Sequence, residues 1–247
     1  MDLKNIKLIL SYDGRGYHGW QRQKNGLTIQ EIVEEKLEVM TGAPVKVIAS
    51  GRTDAGVHAI NQVCNFTTRS SIGPEAFRQG LNSMLPDDIF IKDAQYVALE
   101  FHARYAVRAK IYEYRILNRD EHDVFLRHYT WHIRWPLNKD EMAKCLSVVT
   151  GCHDFSSFRS SGSDNINPIR TISRAGLVCN EEGLVKIRIE ADGFLRHMVR
   201  NIVGTVVEAG MGRMDFQGFE KILAAKDRCA AGKKAPAQGL FLMEVFY

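Results

Sequence analysis

The residues best suited to chemistry stand together in the segment S-G-R-T-D-A-G-V-H-A, which spans residues 50–59. A carboxyl group, that of Asp54, follows two residues after the guanidinium of Arg52. Glycines on either side permit sharp turns and the close approach of a ligand, and a neighbouring cation favours the ionised form of a carboxylic acid. An ionised aspartate acts as a nucleophile or a base, so we interpret Asp54 as a catalytic candidate and Arg52 as its support. Taken alone, the segment also fits a turn in which Asp54 only accepts hydrogen bonds from nearby amides.

The wider sequence favours the catalytic interpretation, because further motifs accompany G-R-T-D-A-G-V-H-A over nearly the whole chain. In chain order they are Y-D-G (12–14), G-W-Q-R-Q (19–23), F-H-A-R (101–104), K-I-Y-E-Y (110–114), G-C-H-D-F-S-S-F-R (151–159), F-L-R-H-M-V-R-N-I-V-G (194–204), A-P (235–236) and G-L (239–240). Together these motifs resemble the TruA family of tRNA pseudouridine synthases.

The resemblance implies a role for individual residues. Asp54 stands where the family has its nucleophile, and Tyr112 stands where the family has the tyrosine that contacts the target base. Arg200 is implied to form an ion pair with Asp54. Arg52 is our own candidate, from its place beside Asp54, to orient that carboxylate and to occupy space near the emptied base stack. The spacing of Arg196 and Arg200 predicts that both lie on one face of a helix that begins at about Phe194.

The activity implied is the isomerisation of uridine to pseudouridine in the tRNA anticodon stem-loop, at positions 38, 39 and 40, by a homodimer. The reaction moves the ribose C1′ from N1 to C5 of the base, so neither a cofactor nor a metal ion is expected. Asp54 either attacks C1′ or removes a proton from the adjacent ribose carbon, and the residues leave both routes open. The alternative is a non-catalytic module that binds structured RNA.

Hydrophobic periodicity predicts an α+β fold of two similar subdomains, residues 1–105 and 106–247. The first contains a helix opened by Thr28 and closed by Gly42, a strand over Val45 to Ala49, and a helix that begins at Pro74. The second contains a helix capped by Asn138 and a hairpin that joins strands 171–179 and 184–190. The resemblance implies that their antiparallel sheets pack side by side, with helices on the outer faces and an active-site cleft between them.

The composition is that of an ordinary globular protein with a mild basic excess. The 33 basic and 29 acidic residues leave a net charge of +4, which is far from the imbalance typical of a histone-like protein. The five cysteines are odd in number and form no C-x-x-C pair, so we expect reduced thiols and a cytoplasmic protein. No segment has the roughly 18 apolar residues that a membrane span requires, so no membrane association is expected.

Overall fold

The computed structural model describes residues 2–162 and 167–247. Within these ranges ten strands occur, namely β1 (Lys4–Tyr12), β2 (Ile48–Ala49), β3 (His58–Thr68), β4 (Ile89–Val97), β5 (Ala109–Asn118), β6 (Trp131–Ile133), β7 (Gly151–Asp154), β8 (Ile169–Cys179), β9 (Leu184–Ala191) and β10 (Leu240–Phe246). The same ranges contain five α-helices, namely α1 (Ile29–Thr41), α2 (Pro74–Met84), α3 (Lys139–Val148), α4 (Met198–Gly210) and α5 (Phe216–Ala225).

The chain divides into two compact units, the first formed by Met1–Arg108 with Phe241–Tyr247 and the second by Ala109–Leu240. Both combine mainly antiparallel strands with helices, so the α+β prediction is confirmed. The division lies close to the expected boundary between residues 105 and 106. The last strand differs from that expectation, because β10 pairs in parallel with β3 of the first unit through Phe241 and Leu242.

In the first unit the strand order is β4-β1-β3-β10, and β2 adds to β3. Apolar side chains alternate along β1, so that Ile6, Leu8 and Leu10 are fully buried. Helix α2 packs on the same core, where the rings of Phe66 and Phe77 meet edge to face at 5.2 Å. The first unit thus has a sheet with one well-packed apolar core.

The caps predicted for α1 are confirmed. The Thr28 side chain accepts a hydrogen bond from the Glu31 backbone N–H, and Gly42 ends the helix in the left-handed conformation with φ 70°. The strand predicted over Val45 to Ala49 is shortened to Ile48–Ala49. The reason is that Val47 pairs with α1 instead of a strand: its N–H donates to Glu34 Oε1 at 3.0 Å and its carbonyl accepts from Gln30 Nε2 at 3.1 Å.

In the second unit the strand order is β5-β9-β8-β7, all antiparallel, and β6 lies parallel to β5. The predicted hairpin is confirmed as β8 and β9, and Asn138 caps α3 by accepting from the Glu141 N–H. Helix α3 packs against α4 and α5. Nearly every residue of α4 is buried, which makes this helix the centre of the second core.

All five cysteines are free thiols, as expected. In the part of the chain that the structure describes, none of the helices has both the length and the apolar character needed to cross a membrane.

Candidate active site

Asp54 lies in the loop between β2 and β3, at the first position of a tight turn. The turn is closed by a hydrogen bond of 3.1 Å from the Val57 N–H to the Asp54 carbonyl oxygen. Its third position is Gly56 with φ 76°, a conformation that glycine adopts without strain and that a type II turn requires. The Asp54 side chain is half-buried. A carboxyl group on such a turn is held at the surface by the backbone and stays accessible to a substrate.

Buried polar groups hold the backbone on the N-terminal side of Asp54. The Tyr12 hydroxyl lies 2.8 Å from Thr53 Oγ1, and Gln62 Nε2 donates to the Gly51 carbonyl oxygen at 3.0 Å. From a different segment, the Trp20 N–H donates to the Thr53 carbonyl oxygen at 3.0 Å. The residues directly before Asp54 are therefore anchored by strands β1 and β3 and by the loop after β1.

His58 anchors the C-terminal side of the same loop. Its Nδ1 accepts a hydrogen bond from the Gly14 N–H at 3.2 Å and lies 3.1 Å from Asp13 Oδ1. The imidazole is buried and stacks on the ring of Phe241 at 4.6 Å between centroids. This histidine links the loop after β1 to β3 and β10 and serves the structure of the Asp54 loop.

Arg52 is exposed, and its guanidinium is oriented by a neighbouring loop. Its Nε donates to Gln21 Oε1 at 3.0 Å. The loop that carries Gln21 is itself fastened to α1, since the Arg22 N–H donates to Gln30 Oε1 at 3.0 Å. Arg52 and Asp54 thus lie on one loop of the first unit.

Tyr112 lies on β5 of the second unit. The ring of Phe194 meets the Tyr112 ring edge to face at 5.0 Å, and Tyr112 is 8% exposed. Tyr114 lies on the same face of the strand and is fully buried. Its hydroxyl donates to the Pro236 carbonyl oxygen at 2.8 Å. Burial raises the pKa of Tyr114, so its phenol stays protonated and serves the core.

Arg200 lies in the first turn of α4 and is almost completely buried. Its Nε donates to the Ala235 carbonyl oxygen at 2.8 Å, and the Ala235 N–H donates to the Arg200 carbonyl oxygen at 3.0 Å. The charge of Arg200 also acts on the Tyr114 phenol and opposes the rise in its pKa. Arg200, Ala235 and Tyr114 therefore form one connected group in the second unit.

The prediction that Arg196 and Arg200 share one face of a helix is wrong. Helix α4 begins at Met198, not at about Phe194, because His197 adopts the left-handed conformation with φ 62°. Arg196 precedes the helix, and its Nη1 donates to the carbonyl oxygens of Ser161 and Gly162 at 2.9 and 3.1 Å. In the structure Arg196 therefore holds the backbone at Ser161 and Gly162.

Three residues that support the site were not predicted from the sequence: Tyr12, Gln21 and Gln62. Gln62 offered a signal, since it is a polar residue in a strand whose neighbours are mostly apolar or β-branched. A buried amide at such a position requires hydrogen-bond partners. Within residues 2–162 and 167–247, no three His, Cys, Asp or Glu side chains are grouped as metal ligands would be.

Comparison with known proteins finds similar sequences over almost the entire length of this chain. A family model described as tRNA pseudouridine synthase matches residues 8–106 and 147–247. The tRNA pseudouridine synthase A of Acetivibrio thermocellus is 46% identical over 245 residues, which cover 99% of this chain and 100% of that protein. Proteins of the same name from Thermoanaerobacter sp. and Geobacillus sp. are 45% and 44% identical, over 100% and 98% of their lengths and 99% of this chain. The chain therefore belongs to the TruA family of tRNA pseudouridine synthases, which confirms the resemblance seen in its motifs.

Proposed function

We propose that this isomerase converts uridine to pseudouridine in the anticodon stem-loop of tRNA, at positions 38, 39 and 40, with Asp54 as the catalytic group. The observation that carries the proposal is the position of Asp54. Its half-buried carboxyl group stands on a turn whose two flanks are anchored by Thr53 and His58. Family membership supplies the substrate and the reaction, and the anchored turn supports the assignment of the reacting residue.

The reaction requires a carboxylate held at a sugar carbon. The bond between C1′ and N1 breaks, the base rotates, and C5 bonds to C1′; the proton on C5 leaves and N1 gains one. Asp54 acts either by attack on C1′ or by removing the proton of the neighbouring ribose carbon. Both routes need the carboxyl oxygen fixed relative to the ribose, because a misplacement of about 1 Å costs about 10²-fold in rate.

The target nucleotide must leave its stack before C1′ can be reached, at a cost of a few kcal/mol. We assign Arg52 to the space near the vacated stack, where an exposed guanidinium contacts phosphate or base. Tyr112 contacts the extruded base, and the edge-to-face contact with Phe194 sets the orientation of its ring. We assign Arg200 to orient Asp54, and its bond to Ala235 keeps the guanidinium in one direction. The assignments of Tyr112 and Arg200 rest on the family resemblance, and that of Arg52 on its place two residues before Asp54.

The decisive experiment replaces Asp54 by Asn and by Ala. Both variants should lose detectable pseudouridine formation, measured as tritium release from tRNA labelled at C5 of uridine, and should bind tRNA within a few-fold of the wild type. The control is Asp140→Asn, an exposed aspartate in the first turn of α3 in the second unit, which should keep full activity. Turnover by Asp54→Asn would contradict the catalytic assignment, whereas loss of tRNA binding would point to a binding role instead.

The position specificity has its own test. Three tRNA substrates that each retain one uridine, at position 38, 39 or 40, should all be modified, and a tRNA with cytidine at all three should not. Modification of that last substrate would contradict the anticodon stem-loop assignment.

We also propose that the protein is a homodimer. Analytical ultracentrifugation should then give twice the 28.0 kDa mass of the chain, and a single monomeric species would contradict the proposal.

A further inference from the structure

A fully buried amide lies directly beneath the proposed catalytic loop. Gln62 is on β3, has no exposed surface, and takes no part in the reaction proposed above. Its neighbours Tyr12, Ser50 and Thr53 are each less than one tenth exposed and carry hydroxyl groups. Four polar side chains are thus concentrated at one place in the core, and buried polar groups persist only where hydrogen bonds satisfy them.

The amide makes four hydrogen bonds. Oε1 accepts from Ser50 Oγ at 2.7 Å and from the Val63 N–H at 3.2 Å. Nε2 donates to the Gly51 carbonyl oxygen at 3.0 Å and to the Tyr12 hydroxyl at 3.4 Å. The backbone partners determine which end of the amide is which, because the Val63 N–H can only donate and the Gly51 carbonyl can only accept.

The orientation of the amide passes along the network to the residue before Asp54. The Tyr12 oxygen accepts from Gln62 Nε2, and the Tyr12 hydroxyl also shares a hydrogen bond with Thr53 Oγ1, 2.8 Å away, in which either oxygen can be the donor. Gln62 therefore acts on the loop at two points, directly at Gly51 and through Tyr12 at Thr53. Gly51 and Thr53 flank Arg52, and Thr53 immediately precedes Asp54.

We propose that Gln62 is a positioning residue for the reaction: its amide, together with the Tyr12 hydroxyl, sets the backbone that carries Arg52 and Asp54. This inference rests on the proposed catalytic role of Asp54. It assigns no substrate contact to Gln62, which is buried below the loop. A network of satisfied buried hydrogen bonds holds a single geometry, and a carboxylate that must meet one ribose carbon depends on such geometry.

The test separates positioning from folding. Gln62→Leu removes all four bonds, and kcat should fall about 10²-fold while KM for tRNA stays within about twofold. Tyr12→Phe removes only the link to Thr53 and the acceptor for Nε2, and kcat should fall about tenfold. Tyr12→Phe decides the matter if Gln62→Leu does not fold. The proposal is overturned if Tyr12→Phe has the wild-type kcat and Gln62→Leu either has the wild-type kcat or does not fold.

The matched control is Asn65, a second buried amide on the same strand. Asn65 donates to Asn5 Oδ1 at 2.9 Å and accepts from the Ala103 N–H at 2.9 Å, on a part of β3 away from the loop. Asn65→Leu should lower the melting temperature as Gln62→Leu does, yet keep kcat of the folded protein within about twofold. An equal fall of kcat in both variants would assign the Gln62 effect to general destabilisation and overturn the proposal.

A conservative variant supplies a readout that a purely structural role would not change. Gln62→Glu keeps the shape, and its protonated form offers one donor and one acceptor in place of the amide. Its kcat relative to wild type should rise as the pH falls from about 8 to about 6, because burial favours the neutral acid. A flat ratio at the level of Gln62→Leu would contradict an effect through hydrogen bonding.

Asp54→Asn, measured alongside, keeps the two proposals distinguishable. If Asp54→Asn retains turnover, the proposed catalytic role fails whatever the Gln62 variants do. If Asp54→Asn is inactive while the Gln62 and Tyr12 variants keep wild-type kcat, only the positioning role fails.

Discussion

At the scale of single residues, several buried polar side chains are held by hydrogen bonds or ion pairs to other segments of the chain. Gln62 lies under the loop of Asp54, and in the second unit Asn201 donates to the Phe158 carbonyl oxygen at 2.8 Å and accepts from Arg228 at 3.1 Å. Glu113 on β5 is 1% exposed and accepts from Arg115 Nε at 2.8 Å and Arg188 Nε at 2.7 Å. An unpaired buried carboxylate would be strongly destabilising, and the two arginines supply its charge partners.

Glu113 predicts a pH dependence of stability. Burial raises its pKa, but the hydrogen bonds from Arg115 and Arg188 outweigh burial, so its pKa is lowered in the folded protein. A lowered folded-state pKa gives stability that is present above the unfolded value of about 4.3 and is lost as the pH falls through the folded value. In urea unfolding, Glu113→Gln should be less stable than wild type at neutral pH, and the gap should narrow below about pH 4. A gap that stays constant down to pH 3 would contradict this.

At the scale of elements, predictions from the sequence were accurate where the signal is local. The caps of α1, the first residue of α2 and the Asn138 cap of α3 depend on residues within one helical turn, and all three were predicted. The predicted starts of a strand at Val45 and of a helix at Phe194 were wrong. Gln30 and Glu34 of α1 hold Val47 by hydrogen bonds, and the left-handed conformation of His197 places the start of α4 at Met198.

The short 3₁₀ turn Gly14–Gly16 gives a matched pair of glycine variants beside the Asp54 loop. A Cβ built on Gly14 would lie 1.9 Å from the Val57 carbonyl oxygen, whereas a Cβ on Gly16 would meet nothing within 4 Å. Gly14→Ala should therefore lower the free energy of unfolding by about 1–3 kcal/mol and reduce kcat by displacing the Asp54 turn. Gly16→Ala should leave both unchanged. Equal urea midpoints for the two variants would show that the close approach is unimportant.

At the scale of the whole molecule, the last seven residues, Phe241–Tyr247, belong to the first unit. The last strand, β10, pairs in parallel with β3 at His58 and Ala59, directly after the Asp54 turn. The Tyr247 hydroxyl donates to the Ala103 carbonyl oxygen at 2.8 Å, which fastens the chain end to the first unit. The stability of the Asp54 loop therefore depends on residues from the first and the last strand of the chain.

This dependence predicts different effects for two phenylalanines of β10. Phe241 is 4% exposed and stacks on His58, whereas Phe246 is 41% exposed. Phe241→Ala should lower the free energy of unfolding by about 3–5 kcal/mol and reduce activity in the fraction that stays folded. Phe246→Ala should change both only slightly. Urea unfolding measures the stability and tritium release the activity. Similar stability and activity of the two variants would argue against a special role for the contact of β10 with His58.

The sequence by itself determined the family, the α+β class and the candidates Asp54, Arg52, Tyr112 and Arg200, because motifs, helix caps and hydrophobic periodicity are written in residues that stand close together along the chain. Only the tertiary structure decided that Gln62 and Tyr12 lie under the loop, that β3 begins at His58 and that β10 belongs with the first unit. Each of these features depends on hydrogen bonds or strand pairing between segments from about ten to well over a hundred residues apart. Such contacts arise when the core closes, and no local pattern of residues encodes them.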